Sequence, residues 1–334
     1  MPFLLRCPSG RLASMIETDT TATMRAISQN VLGGPEVLTE VQLPQPVPGP
    51  GEILVRVRAA GLNPTDWRHR AVAGLFLPEP PFVLGWDVSG EVAATGVGVT
   101  LFRPGDEVFG MLPYPNGHGA FAEYAAGPAR AFAHKPAGLD HVRAAAIPLA
   151  GLTAWQALVD TAEVSARQRV LIHAAAGGVG HFAVQIAKAR GAYVIGTASA
   201  PNHDFLRGIG ADEVIDYRGT DIADVVRDVD VVLDSVDDEN SIRSLRTLRP
   251  GGLLVSLRAF GTIDLVAEAD ALGVRAVRML VEDDHAGMRA LAELVDSGAL
   301  RPTIAGTFPS SAAAKAHALG DTGRTVGKLV LTVP

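Results

Sequence analysis

Cys7 is the only cysteine in the chain. From Met24 onward there is no thiol, which excludes disulfides, thiolate catalysis and any thiolate-bound zinc site in that stretch. An excess of positive charge is also missing. The formal net charge is −7, which argues against a protein that grips nucleic-acid backbone through a basic face. No apolar run reaches the roughly 18 residues that a membrane-spanning helix needs. At the start, only Phe3, Leu4 and Leu5 precede Arg6. That apolar stretch is too short for a secretory signal, so the cytoplasm is the expected location. What is abundant is apolar residues, at 48% against 19% charged. With 334 residues, such a chain is expected to fold as two domains with a large core. Residues 1–23 are polar and rich in Ser and Thr. They read as a disordered leader, with Met24 as a candidate start.

Residues 169–190, RVLIHAAAGGVGHFAVQIAKAR, are the most informative run. Val170, Leu171 and Ile172 form a continuous apolar strand of the kind covered on both faces. Ala175, Gly177 and Gly180 follow in an A-x-G-x-x-G spacing. The small first residue permits the turn, Gly177 lets backbone approach a pyrophosphate, and Gly180 lets helix pack close to strand. Phe182, Val184, Ile186 and Ala187 then recur with helical spacing, predicting an amphipathic helix. Ala176, Gly177, Gly178, Val179 and Gly180 are therefore the candidate pyrophosphate contacts.

Before this run, short strands are broken by Gly and Pro. Residues 52–59, 88–94 and 106–111 read as strands, with turns at Pro50-Gly51 and Pro104-Gly105. A barrel-like β domain is expected there. From about residue 148 the texture alternates: a helix at 151–161, then strands near 170–174, 193–197, 213–215, 229–234 and 252–257, with helices at 180–190, 204–208 and near 242–248. Alternation of this kind predicts a parallel sheet covered by helices. Helices at 286–297 and 312–319 follow. A last strand at 328–333 lacks a partner in that sheet and is expected to return to the first domain. The expected division is 24–147 with 285–334 as one domain, and 148–284 as the other.

The second strand of such a fold usually ends in an acid that holds the adenosine ribose. Here it ends Gly196-Thr197-Ala198-Ser199. A small hydroxyl leaves room for a 2′-phosphate, which His203, Arg207 and Arg218 are placed to neutralise. NADP(H) is thus expected over NAD(H). Pro201 and Asn202 stand where a further cation would strengthen that expectation.

Taken together, Gly61-Leu62-Asn63-Pro64 with Asp66, Gly105-Asp106-Glu107-Val108, Gly119-Ala120-Phe121-Ala122-Glu123-Tyr124, residues 149–158 (LAGLTAWQAL), the HAAAGGVG turn, Gly210-Ala211-Asp212, Ile215-Asp216-Tyr217 and Gly327-Lys328-Leu329-Val330 resemble the zinc-independent quinone oxidoreductase branch of the medium-chain dehydrogenase/reductases. The resemblance runs from Met24 to Pro334. It implies an α/β chain made of a GroES-like β-barrel-type catalytic domain and a Rossmann domain, assembled as a homodimer. It also implies contacts to cofactor from Asn63, Thr153, Tyr217, Ser256 and Lys328, with Asn63 on the nicotinamide side. Zinc-dependent relatives carry a Gly-His-Glu motif where this chain has Gly85-Trp86-Asp87. With no cysteine available either, no metal is expected.

Without a Lewis acid, a conjugated acceptor is the easier target for hydride, because its carbonyl delocalises the resulting charge. The expected activity is NADPH-dependent reduction of a quinone or an α,β-unsaturated carbonyl compound. Asp66, Arg68, Tyr114 and His118 are the candidate donors, and Trp67 and Trp86 candidate pocket walls. Two alternatives remain open at this point: a pathway-specific enoyl reductase on a polyketide-like intermediate, and a non-catalytic NADPH sensor.

Overall fold

The computed structural model describes residues 22–73, 77 and 79–334. The expected leader falls outside the described residues except for its last two, and Cys7 lies outside with it. The first strand, Thr23–Gln29, already begins within that expected span.

Two sheets carry the molecule, beside a small three-stranded one. The seven-stranded sheet is mostly antiparallel and centred on Glu52–Leu62. That strand pairs with Asp87–Thr95 on one side and Lys328–Thr332 on the other. Only Arg56 in this strand is exposed, and Ala59 to Leu62 are all buried. Gly61 is required here. A Cβ would stand 2.3 Å from the Ala145 carbonyl oxygen and 2.7 Å from Oδ2 of Asp87. The chain's last strand does return to this sheet, with Leu329 opposite Leu62. Sequence reading missed the neighbouring strand Ile304–Pro309, which alternates between half-buried and exposed and so lacks an apolar run.

The six-stranded sheet is wholly parallel. Its strands lie in the order Glu213–Ile215, Tyr193–Thr197, Arg169–Ile172, Val229–Asp234, Leu248–Ser256, Arg275–Arg278. The order reverses direction between Arg169–Ile172 and Val229–Asp234. Ligands of open parallel sheets bind at such a switch point, beyond the carboxyl ends of the strands. The α/β class, with a GroES-like part and a Rossmann-type parallel sheet, is as expected.

Several elements differ from expectation for identifiable reasons. The helix expected near 242–248 runs Asp238–Leu245, because the Asp237 side chain caps it by accepting from Asn240 N–H at 2.7 Å. The edge strand Arg275–Arg278 was missed because it has no fully buried residue. The helix Gly180–Ala189 is not amphipathic in place: Gly180 through Ala187 are all buried. It is enclosed between its sheet and the helix Pro148–Trp155, with Gln185 also bonded to the Arg301 carbonyl. The helix expected at 151–161 starts at Pro148 as an α-helix and finishes as π-helical turns, Gln156–Thr161.

Candidate active site

The turn after Arg169–Ile172 opens onto the switch point. Ala174 is held at φ +47°, an unusual conformation for a residue with a Cβ. Its carbonyl accepts from Gly177 N–H at 2.9 Å. A Cβ on Gly180 would lie 2.4 Å from that same carbonyl oxygen and 2.6 Å from Ala175 Cα. Gly180 is thus fixed by helix–strand packing. At Gly177 the nearest atom would be 3.1 Å away, and the residue is half-exposed, facing the groove. No side chain caps the first turn of Gly180–Ala189. His181, Phe182 and Ala183 N–H are spent on the Gly177 and Val179 carbonyls, so it is the positive dipole end of the helix that suits a phosphate.

A groove of about 460 Å³ lies beside this turn. Ala176, Gly177, Ser199, Asn202, Tyr217 and Arg218 line it, together with Arg324 from the chain's end. Tyr217 is 58% exposed, and its ring lies 5.9 Å from the Arg218 guanidinium. Of the three expected cations, only Arg218 reaches the groove. His203 Nε2 lies 3.2 Å from the Ala198 carbonyl, as a hydrogen bond. Arg207 is paired with Asp204 at 2.9 Å on the surface. Arg324 was missed, since nothing in its local sequence links it to a strand end a hundred-odd residues earlier. These residues fit a dinucleotide: small residues at the pyrophosphate end, an exposed aromatic and a cation at the adenosine end.

Two of the expected cofactor contacts, Asn63 and Lys328, and the candidate donor Asp66 belong to a buried cluster. Strand pairing brings Lys328 against Asn63. The Lys328 ammonium donates to Asn63 Oδ1 and, at 3.2 Å, to Asp87 Oδ2. The same Asp87 oxygen accepts from Asn63 Nδ2 at 2.9 Å, and Oδ1 accepts from Leu149 N–H at 2.7 Å. Asp66 has no exposed surface. Its two oxygens accept from Asn63 N–H at 2.7 Å and Gly85 N–H at 3.1 Å. Burial pushes its carboxyl up to about 8, with Asp87 adding to the rise and Lys328 opposing it. Asp66 was expected to face substrate; it is a buried brace for the Asn63 turn. Lys328 was expected near the pyrophosphate. Its stem does pass the turn, 3.3 Å from where a Gly178 Cβ would stand, but its charge is spent on Asn63 and Asp87. Asp87, which sequence reading noted only as part of a missing zinc motif, anchors the cluster.

The chain's end also ties the turn down. Gly327 N–H donates to the Ala176 carbonyl at 3.0 Å. Thr303 N–H donates to His181 Nε2 at 3.3 Å. That acceptor role leaves the ring proton on Nδ1, which points at the Gly177 carbonyl at 3.0 Å. Burial lowers the His181 pKa to about 4, so the ring is neutral near pH 7.

Other expected residues are less exposed than anticipated. Thr153 is buried and donates its hydroxyl to the Leu149 carbonyl at 2.6 Å. Ser256 is fully buried at a strand end, and its Oγ accepts from Arg258 N–H at 3.3 Å. The residues just after it do reach a cavity. Residues 257–260 close a second pocket of about 280 Å³ with Thr65, Arg68, His69, Tyr114 and Leu280. The Tyr114 hydroxyl sits 3.1 Å from Thr65 Oγ1, and burial raises its pKa, so it stays a donor at neutral pH. Trp86 is buried beneath Tyr114, ring centroids 5.4 Å apart, as a floor rather than a wall. Trp67 packs on Gly320, away from the pocket. His118 is engaged with the Val83 carbonyl at 2.7 Å.

Two family descriptions match the sequence: an alcohol dehydrogenase GroES-like domain over residues 49–137 and a zinc-binding dehydrogenase over residues 209–331. A 2-haloacrylate reductase from Burkholderia sp. is 35% identical over 322 residues, covering 90% of this chain and 96% of that protein. The solved quinone oxidoreductase of Coxiella burnetii superposes with a TM-score of 0.89 at 37% identity, over 94% of this chain and 100% of its own. A mycobacterial protein solved in complex with NADPH gives 0.81 at 32% identity, over 92% and 99%. With these matches, the parallel sheet and the Ala175–Gly180 turn in place, the chain belongs to the quinone oxidoreductase branch of the medium-chain dehydrogenase/reductase superfamily.

Proposed function

We propose that this protein is an NADPH-dependent oxidoreductase that reduces the conjugated double bond of a quinone or an α,β-unsaturated carbonyl compound. The observation that carries the reading is the pair of cavities at one edge of the parallel sheet. All strands of that sheet run the same way, so Gly177, Ser199 and residues 257–260 stand at one edge, beyond the carboxyl ends. When bound, the dinucleotide supplies the hydride. The turn at Ala176–Gly180 receives its pyrophosphate, Tyr217 its adenine, and Ser199 with Arg218 and Arg324 its 2′-phosphate. Tyr114 donates a hydrogen bond to the acceptor's carbonyl oxygen, where negative charge develops. Asn63 is a positioning residue, held by Lys328 and Asp87, at the join between the two sheets.

We assign no metal to the reaction. Trp86 is a core residue that cannot ligate, and the described residues contain no group of three or more His, Cys, Asp or Glu able to hold one. Sheet membership supports the division of the chain into 24–147 with 285–334, and 148–284. Homodimer formation fits the half-exposed edge strand Arg275–Arg278, which ends its sheet with no further strand beside it among the described residues. Among the described residues no helix is long and apolar enough to cross a membrane. Sequence alone supports a cytoplasmic site, and some relatives are named as chloroplastic or mitochondrial.

The test is consumption of NADPH and of NADH across a panel of quinones, enones and enoyl thioesters. Oxidation of NADPH by at least one conjugated acceptor, faster than of NADH, is expected. No oxidation by any acceptor would remove the enzymatic reading.

A further inference from the structure

The pocket of about 280 Å³ holds two arginines from distant parts of the chain. Arg68 lies in the helix Pro64–Ala71, and Arg258 two residues past the strand Leu248–Ser256. No Asp or Glu among the described residues lines the pocket. Among the described residues neither guanidinium has a carboxylate within ion-pairing distance. That sets them apart from Arg25, Arg70, Arg249 and Arg278, each of which is matched to an acid within 3 Å. The buried carboxylate in the same helix as Arg68, Asp66, spends both oxygens on backbone N–H groups. Two cations that share one cavity and lack a counter-ion repel each other. The pair is destabilising until an anion enters between them.

We propose that Arg68 and Arg258 form an anion subsite, and that the acceptor reduced by this protein carries a carboxylate. This rests on the reading of the pocket as the acceptor site. The geometry matches the chemistry of such a substrate. Thr65 and Tyr114 offer hydroxyls to a carbonyl oxygen on one side. The guanidinium pair offers planar, bidentate donors to a carboxylate on the other. Leu257, Ala259, Phe260 and Leu280 supply apolar wall for the carbon chain between them. The lowered pKa of Arg68, caused first by burial and then by Arg258, reports the same unmet charge. The reaction balances without any further group. One hydride from the reduced cofactor adds to the β-carbon, one proton from solvent adds to the α-carbon, the double bond becomes single, and the carboxylate is unchanged.

The acid enone trans-4-oxo-2-pentenoate and its methyl ester test this. The intact protein is expected to favour the acid over the ester in kcat/KM. In Arg68→Gln and Arg258→Gln that acid-to-ester ratio should fall about tenfold each, with most of the loss in KM. Arg68→Lys should recover part of it, since it keeps the charge and loses the fork. Circular dichroism and melting midpoints close to the parent's identify variants that are folded. A second readout needs no turnover: calorimetry with 4-oxopentanoate, the saturated product, should show binding that weakens about tenfold in either variant and is absent for its methyl ester. Equal kcat/KM for acid and ester, or a ratio unchanged in both variants, overturns the anion subsite. If neutral quinones are reduced and the acid is not, the subsite is wrong while the proposed activity stands. If 4-oxopentanoate binds through both arginines but no acceptor oxidises NADPH, the subsite stands and the proposed activity falls.

Discussion

Most of the dinucleotide groove is assembled from short stretches that directly follow parallel strands: residues 173–177 after Arg169–Ile172, residues 197–199 closing Tyr193–Thr197, and Tyr217 just beyond Glu213–Ile215. The acceptor pocket draws Thr65 and Arg68 from one helix, Tyr114 from a Pro-rich loop, and residues 257–260 from the far side of the sheet switch. The first is held by local geometry at the ends of neighbouring strands. The second joins segments of both sheets, and the last strand, Lys328–Thr332, is one pin between them, through Gly327 N–H on the Ala176 carbonyl and Lys328 on Asp87. A groove built locally should tolerate changes elsewhere. A pocket built from distant segments should fail whenever that pin is loosened.

The largest effect is expected at the pin. Lys328→Met leaves the Asp87 carboxylate buried without its cation, which costs about 3–5 kcal/mol of stability. Urea unfolding measures it, and an unchanged midpoint would mean the two sheets do not depend on this cluster. Next come the two glycines of the turn. Gly180→Ala drives a Cβ into backbone, and a loss of roughly 2–3 kcal/mol is expected. Gly177→Ala should fold nearly as well as the parent yet bind NADPH weakly, because the space it fills is the ligand's. Equal stability of the two variants would blur the distinction between packing and binding glycines.

The Asp66 brace gives a pH signature. Its carboxyl is raised in the folded chain to about 8. Below the unfolded-state carboxyl range both states are protonated. As pH rises toward 8 the unfolded chain ionises first, so folded stability from this group is lost across that window. Relative to Asp66→Asn, the parent should therefore weaken steadily between about pH 5 and 8, by ~2 kcal/mol or more, and level off above. A constant difference between the two proteins across the range would show that Asp66 is ionised throughout. Smaller effects fall on the ligand-facing side chains. Tyr114→Phe should lower kcat at least tenfold for an enone while leaving NADPH affinity alone. Arg218→Ala should weaken NADPH binding up to about tenfold and leave NADH binding unaltered.

The groove was legible in sequence because its parts are contiguous and physically constrained. Gly180 has to be glycine where a helix meets its own strand, and the missing acid after Thr197 is visible at a fixed distance from the turn. Strand pairing for Lys328 was legible only as an unpartnered apolar run. The partners it finds were not, since nothing local to Asp87 shows that it faces an ammonium 241 positions away. The same limit hid Arg324 and Arg258. Asp66 was misread for a related reason: a carboxylate near a candidate site looks like a donor in sequence, and only the folded capping geometry shows both its oxygens facing backbone.

Stopped-flow mixing of the NADPH-loaded protein with a conjugated enone or quinone tests whether the two cavities serve one hydride transfer. The reduced-nicotinamide absorbance should decay in a single turnover, with a rate that saturates in acceptor and drops in Tyr114→Phe. Absorbance that stays constant against every acceptor tried would contradict the account of two cavities serving one hydride transfer.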